Sequence, residues 1–314
     1  MNFQNLPPIE SSKTLLDLAF RRARERSTAK KLTGKWLDII KRKESTKIDS
    51  IKDTLVTKFL AILQSFPKEY DLSSFYVKLM NLTLDYPVYK KSLASVNWGS
   101  TRIRTFHRQY ASKINKARDR QAITHLSKEY YGRISSILKQ LDKHFHYLEK
   151  SRTIMRTYPD IKEMFTICIF GFPNVGKTTF LNKLTGSTAM TAPYPFTTTS
   201  INTGYTEING HKIQVLDVPG TLGRAAKMNN IELQAKLVVD ELAKVIIYVF
   251  DISGESAYTL EQQEELLHKI SKDHLILIYL SKKDLLSQNQ INRFPHKHFS
   301  LEEINKEIEL LVEI

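Results

Sequence analysis

The chain has 314 residues, of which 41% are apolar and 25% charged; that is enough for two ordinary domains at roughly 100 to 200 residues per core, and the balance excludes wholesale disorder. One cysteine, Cys168, excludes an internal disulfide, and no apolar run approaches the roughly 20 residues that span a bilayer. The net charge of +14 is uneven: residues 1–160 carry 32 Lys and Arg against 15 Asp and Glu, whereas residues 161–314 carry 15 against 18.

The first part therefore holds +17 and the second −3. A basic domain tethered to a near-neutral one is what nucleic-acid binding predicts, because cationic side chains gain affinity by displacing counterions from phosphates. Acidic protein surfaces or anionic lipid would attract the same charge. The opening Met1 to Pro8 has neither the basic start nor the apolar stretch of a signal peptide, and the chain carries no lipidation motif. We expect a cytoplasmic protein, monomeric in isolation and not membrane-bound.

From Ser12 to Met155 the pattern is helical. Ile48, Ile51, Leu55, Phe59, Leu63 and Phe66 make one apolar stripe with steps of three and four, and Ile134, Ile137, Leu141, Phe145 and Leu148 make another. Two such stripes need partners, so an all-α helical-bundle domain is expected over residues 1–160. Helix stops are expected at Pro67, Pro87, Gly99 and Pro159. Arg102, Arg104, Arg108, Lys113, Lys116, Arg118 and Arg120, interleaved with Phe106 and Tyr110, form the RNA-facing candidate, with a solvated helix face as the alternative. His144 and His146 lie two apart on a helix and so face different ways, which argues against zinc.

From residue 161 to 314 apolar runs of strand length alternate with helical stretches: Phe165 to Phe170, Lys212 to Leu216, Val245 to Phe250 and Leu275 to Leu280. This is the grammar of an α/β domain with a mostly parallel sheet and helices on both faces. Asn209-Gly210, after Ile201 to Glu207, signals one antiparallel hairpin. Cys168 falls inside the first apolar run, as a buried residue would.

The strongest motif is Gly171-Phe-Pro-Asn-Val-Gly-Lys-Thr178, which follows one predicted strand and opens a helix as a P-loop must. Gly171, Asn174, Val175, Gly176 and Thr179 belong to a loop whose amides and helix start would cradle phosphate oxygens. Lys177 would reach the β- and γ-phosphates and Thr178 would ligate Mg²⁺. Asp217-Val-Pro-Gly220 ends another strand 39 residues beyond Thr178. An Asp-x-x-Gly alone is a common turn, but here Asp217 can hold Mg²⁺ through water and the Gly220 amide can sense a γ-phosphate. Ser281-Lys282-Lys283-Asp284 resembles the Asn/Thr-Lys-x-Asp motif, in which the Asp accepts hydrogen bonds from guanine that adenine cannot offer. Ser281 in place of Asn removes an amide that braces the P-loop, which predicts weaker nucleotide binding. Between these motifs, Tyr194-Pro-Phe-Thr-Thr-Thr199 offers hydroxyls that could complete a Mg²⁺ shell as a switch, or simply begin a strand.

With these residues in hand, the chain resembles the Nog-type nucleolar GTP-binding proteins among the Obg-like P-loop GTPases, in a short form without their long C-terminal extension. The Tyr-Pro-Phe-Thr-Thr segment is shared with the wider Obg group; Asn230-Ile-Glu-Leu-Gln-Ala235, Glu241-Leu-Ala243, Leu148-Glu149 to Arg152 and Pro159-Asp-Ile161 point to the Nog type. The resemblance implies GTP and GDP as ligands, Thr198 as the Mg²⁺-binding switch residue and Asn174 as a potassium ligand. It also implies a role in large ribosomal subunit assembly, with rRNA or a pre-ribosomal particle as partner. Two positions depart from the pattern of such GTPases. Thr221 stands where Ras-like GTPases place a catalytic Gln, so slow hydrolysis is expected, and the last base-recognition motif can only be Ser300-Leu301. A nucleotide-responsive RNA-binding module with negligible hydrolysis is the alternative reading.

Overall fold

A computed structural model of the chain describes residues 3–29, 33–158, 161–162, 164–186, 190–192, 201–218, 230–270 and 274–313. They fall into two compact units: Gln4–Asp71 with Leu84–Arg156, and Phe3 with Leu72–Thr83 and Thr157–Ile314.

The first unit is helical. α1 (Ser12–Thr28), α2 (Trp36–Ser65), α4 (Tyr86–Lys116) and α5 (Arg120–Met155) bury one stripe each. On α2 Ile48, Ile51, Leu55 and Phe59 are buried, as is Phe66 just past its end, and on α5 Ile134, Ile137, Leu141, Phe145 and Leu148, as the three-and-four spacing requires. Three helices start on side-chain caps: Ser11 accepts from the Thr14 amide, Asp85 from Val88 and Asp119 from Ala122.

Two expected stops are corrected. Pro87 opens α4 in its first turn, where a missing N–H costs nothing, and Gly99 lies inside α4. The glycine serves packing instead, because a Cβ there would stand 2.6 Å from Leu141 Cδ1 and 3.2 Å from Phe59 Cε2. Pro67 does follow the end of α2; Pro159 lies outside the described residues.

The second unit is a six-stranded sheet of order β2-β3-β4-β1-β5-β6. Its strands are β1 (Thr166–Phe170), β2 (Met190–Ala192), β3 (Ile201–Ile208), β4 (His211–Asp217), β5 (Val245–Phe250) and β6 (Leu275–Leu280). β4, β1, β5 and β6 run parallel; β2, β3 and β4 are antiparallel in turn. Asn209 (φ +49°) and Gly210 (φ +78°) make the left-handed turn between β3 and β4 that the hairpin signal predicts. β1 and β5 are fully buried, as strands covered on both faces must be, and Cys168 is buried with its thiol pKa pushed up by desolvation. Helices α6 (Lys177–Thr185), α7 (Asn230–Leu242), α8 (Leu260–Ile270), α9 (Gln288–Arg293) and α10 (Leu301–Val312) complete it.

A single boundary between 160 and 161 misses one excursion. α3 (Ser74–Thr83) lies within the basic half of the sequence but packs in the sheet unit against α7. Ser74 Oγ donates to Glu241 (2.9 Å), Lys78 pairs with the same carboxylate, and the Tyr76 hydroxyl accepts from the Ile161 amide at 2.9 Å.

Candidate functional site

The parallel strands end on one edge of the sheet, and the predicted site residues gather there. β1 runs into the loop Gly171 to Gly176, which opens α6 at Lys177; β4 ends on Asp217; β5 is followed by Asp251 and β6 by Ser281. Carboxyl ends of parallel strands are where open α/β sheets bind ligands.

The loop has the backbone such a cradle needs. Gly171 has φ +145°, and a Cβ there would meet the Val249 carbonyl oxygen at 2.6 Å, so only glycine fits between β1 and β5. Asn174 adopts φ +64° and Gly176 φ +94° just before α6 begins, while Val175 is buried and pins the loop to the core. The result is a helix start whose amides face outward from a tight turn.

Lys177 is buried, with Nζ donating to the Phe172 carbonyl at 2.8 Å. Desolvation lowers its pKa, and the charge of Asp217 only partly offsets this. A desolvated ammonium at the start of a helix attracts an anion strongly. Thr178 Oγ1 donates to Asp217 Oδ2 at 2.6 Å, and Asn202 Nδ2, from the position opposite Asp217 in the β3–β4 ladder, donates to the same oxygen at 3.1 Å. A hydroxyl and a buried carboxylate converging beside the loop form a hard-oxygen donor set of the kind Mg²⁺ takes. Sequence reading missed Asn202; its signal is the antiparallel register itself.

Ser281 is buried against the loop, since a Cβ on Gly176 would lie 3.6 Å from Ser281 Cβ. Its hydroxyl donates to the Phe250 carbonyl (2.8 Å), so it braces β5. Lys282 (φ +50°) directs Nζ to Asp251 Oδ2 at 2.7 Å. Burial would raise the Asp251 pKa, but Lys282 and two hydrogen bonds from Ser253 outweigh it and the net shift is downward. Asp251 was not foreseen, although an Asp closing the apolar run Val245 to Phe250 was a visible signal. Asp284 sits exposed in a short turn of helix, and Thr179 is exposed in the first turn of α6.

Phe299 bridges to Tyr279 alongside β6, donating its amide to the Ile278 carbonyl at 2.8 Å, which carries Ser300 to the same edge of the sheet. There Ser300 caps α10: its hydroxyl accepts from the Glu303 amide and Glu303 returns a bond to the Ser300 amide. Thr198, Gly220 and Thr221 lie outside the described residues. On the basic helices Tyr110 is buried against Tyr130 at 5.6 Å, so it belongs to the core and is corrected out of the RNA-facing set. Phe106 is half-buried under Arg102, at 5.0 Å.

A phosphate loop between strand and helix, a facing Asp and a guanine-motif turn on one sheet edge define a P-loop GTPase domain. Residues 166–282 match the family described as 50S ribosome-binding GTPase, and residues 3–162 match the NOG1 N-terminal helical domain. The chain belongs to the Nog family of GTP-binding proteins. It is 33% identical over 296 residues to an uncharacterized protein of Methanocaldococcus jannaschii, covering 92% of this chain and 83% of that one. It is 27% identical over 297 residues to Nucleolar GTP-binding protein 1 of Saccharomyces cerevisiae and 28% over 295 residues to that of Drosophila melanogaster, spanning only 46% and 45% of their lengths. Among solved structures, the G domain of the T. maritima FeoB iron transporter aligns with 48% of this chain and 100% of its own at 22% identity, TM-score 0.38, too distant to carry a functional argument. The expectation of a cytoplasmic protein is corrected by these relatives, whose shared name is nucleolar.

Proposed function

We propose that the chain is a GTP-hydrolysing switch in large ribosomal subunit assembly, holding rRNA or a pre-ribosomal particle through its basic helices. The observation that carries this reading is the buried Lys177 beside the loop, with Thr178 and Asp217 bonded at 2.6 Å on the same edge. The loop amides and Lys177 hold the β- and γ-phosphates, and Thr178 and Asp217, with Thr198 from the switch segment, hold Mg²⁺. Magnesium, when bound, neutralises charge between the β- and γ-phosphates. Gly220 senses the γ-phosphate, Asp284 and Lys282 hold the guanine with Ser300 nearby, and Asn174 offers its side-chain oxygen to potassium. Catalysis comes from positioning and electrostatics, with no covalent intermediate.

The test is Lys177→Ala: GTP affinity should fall at least tenfold, and unchanged affinity and hydrolysis would end the reading. The alternative, a nucleotide-responsive RNA-binding module with negligible hydrolysis, is favoured by Thr221 and by the Ser281 hydroxyl being committed to Phe250. Single-turnover hydrolysis with and without potassium and large-subunit RNA separates the two, since no acceleration under any condition selects the module.

A further inference from the structure

At one end of the helical unit an indole stands in water. Trp36 opens α2 and is 62% exposed, more than Trp98 of α4 at 42%. The Arg120 guanidinium, from the first turn of α5, lies over its ring at 5.8 Å. At 62% exposure, most of the residue still meets solvent. Lys41 ties α2 to the end of α4 through the Asn115 carbonyl at 2.9 Å, bringing Lys113 and Lys116 of α4 to the same end, with Arg118 in the link to α5 and Lys35 before Trp36. The acids near these groups are Asp38, Asp119 and Glu129; the Asp119 carboxylate is occupied in capping α5, and Glu129 interacts with Tyr110 and Lys113.

We infer that Trp36 and Arg120 form a stacking platform for an unpaired RNA base, with the surrounding lysines and Arg118 on the flanking phosphates. Burial does not explain an aromatic so exposed, and charge complementarity selects a polyanion. An indole face adds what a duplex, with its bases already stacked, does not use. A second aromatic groove of this unit, at Tyr70, Tyr86 and Tyr89, fits an anion worse. Glu69 lies within it, accepting from the Tyr86 hydroxyl (3.2 Å) and pairing with Lys90 (3.3 Å).

The inference rests on the proposal that the helical unit binds RNA, and the experiment separates the two. In the full chain, Trp98→Phe leaves Trp36 as the only tryptophan. Its fluorescence should be quenched by an unstructured RNA of on the order of 12 nucleotides, and far less by a duplex of the same sequence. Trp36→Ala should weaken single-strand binding about tenfold, in the range of one stacked base, while Trp36→Phe keeps most of the affinity. The slope of affinity against salt should be unchanged in both, because no phosphate contact is removed. Circular dichroism and GTP affinity report that the fold is intact. If Trp36→Ala binds as its parent does while Arg104→Glu with Arg108→Glu abolishes binding, RNA recognition stands and the platform falls. Binding of no RNA by the unaltered chain overturns both, and quenching by phosphatidylserine vesicles without quenching by RNA assigns the indole to a membrane surface.

Discussion

Asp251 joins the two halves of the nucleotide edge. It follows β5, its side chain is wholly buried, and its ionised form is matched by Lys282 at 2.7 Å and by the Ser253 amide and hydroxyl at 2.9 and 2.6 Å. Its net pKa lies below the ordinary value of 3.8. For a carboxylate whose folded pKa is depressed, the linked stability is present above the unfolded value and is lost as pH falls through the folded one. Urea unfolding of the unaltered protein should therefore weaken below about pH 4, and Asp251→Asn should be less stable by about 1 to 3 kcal/mol at neutral pH with that part of the acid dependence removed. Because Lys282 loses its anchor, GTP affinity should fall in the variant as well. An acid profile identical in the two proteins would show that Asp251 carries none of it.

Among the elements, regular periods were legible and close approaches were not. The runs Val245 to Phe250 and Leu275 to Leu280 match β5 and β6 end to end; β5 is covered on both faces, as an unbroken apolar run implies, whereas β6, with Leu275 exposed, is an edge strand. The stripe on α5 was equally plain. Gly99 misled because a glycine in a helix pattern signals either a stop or a helix crossing, and only the neighbour decides; here Leu141 and Phe59 occupy the space a side chain would need. Tyr110 misled for the same reason, since an aromatic among arginines can face inward. The P-loop motif, Asp217 and the turn at Ser281 to Asp284 were placed at strand ends by motif, flanks and spacing, as the structure has them, whereas Asn202 and Asp251 act through strands distant in sequence. α3 could not be assigned to the sheet unit without Glu241, 163 residues from Lys78. Gly99→Ala tests the crossing. Helix propensity favours alanine by about 1 kcal/mol, but Leu141 and Phe59 are themselves buried and cannot both retreat. Overpacking should win, with a net loss of roughly 1 to 2 kcal/mol measured by denaturant midpoint. A gain in stability would mean that α4 and α5 can part at no cost.

At the scale of the whole chain, the proposed function separates two kinds of anion recognition along the sequence, and ionic strength should tell them apart. Residues 1–160 carry a net charge of +17, so if they hold RNA as proposed, the affinity should arise largely from released counterions. The phosphate site is different: a turn of backbone amides and one buried lysine, in a part of the chain with net −3, where binding depends on fixed short-range geometry and salt reaches poorly. If the helical unit engages about six to ten phosphates, RNA affinity should fall by about 10³- to 10⁵-fold between 50 and 200 mM salt. GTP affinity, measured by calorimetry in the same buffers with magnesium held constant, should change by less than about tenfold, because fewer charges of a small ligand are exposed to screening. Parallel salt slopes for the two ligands would contradict this division, since they would place RNA and nucleotide on one electrostatic surface. Divergent slopes that converge after Arg104→Glu and Arg108→Glu would assign the difference to the α4 stripe.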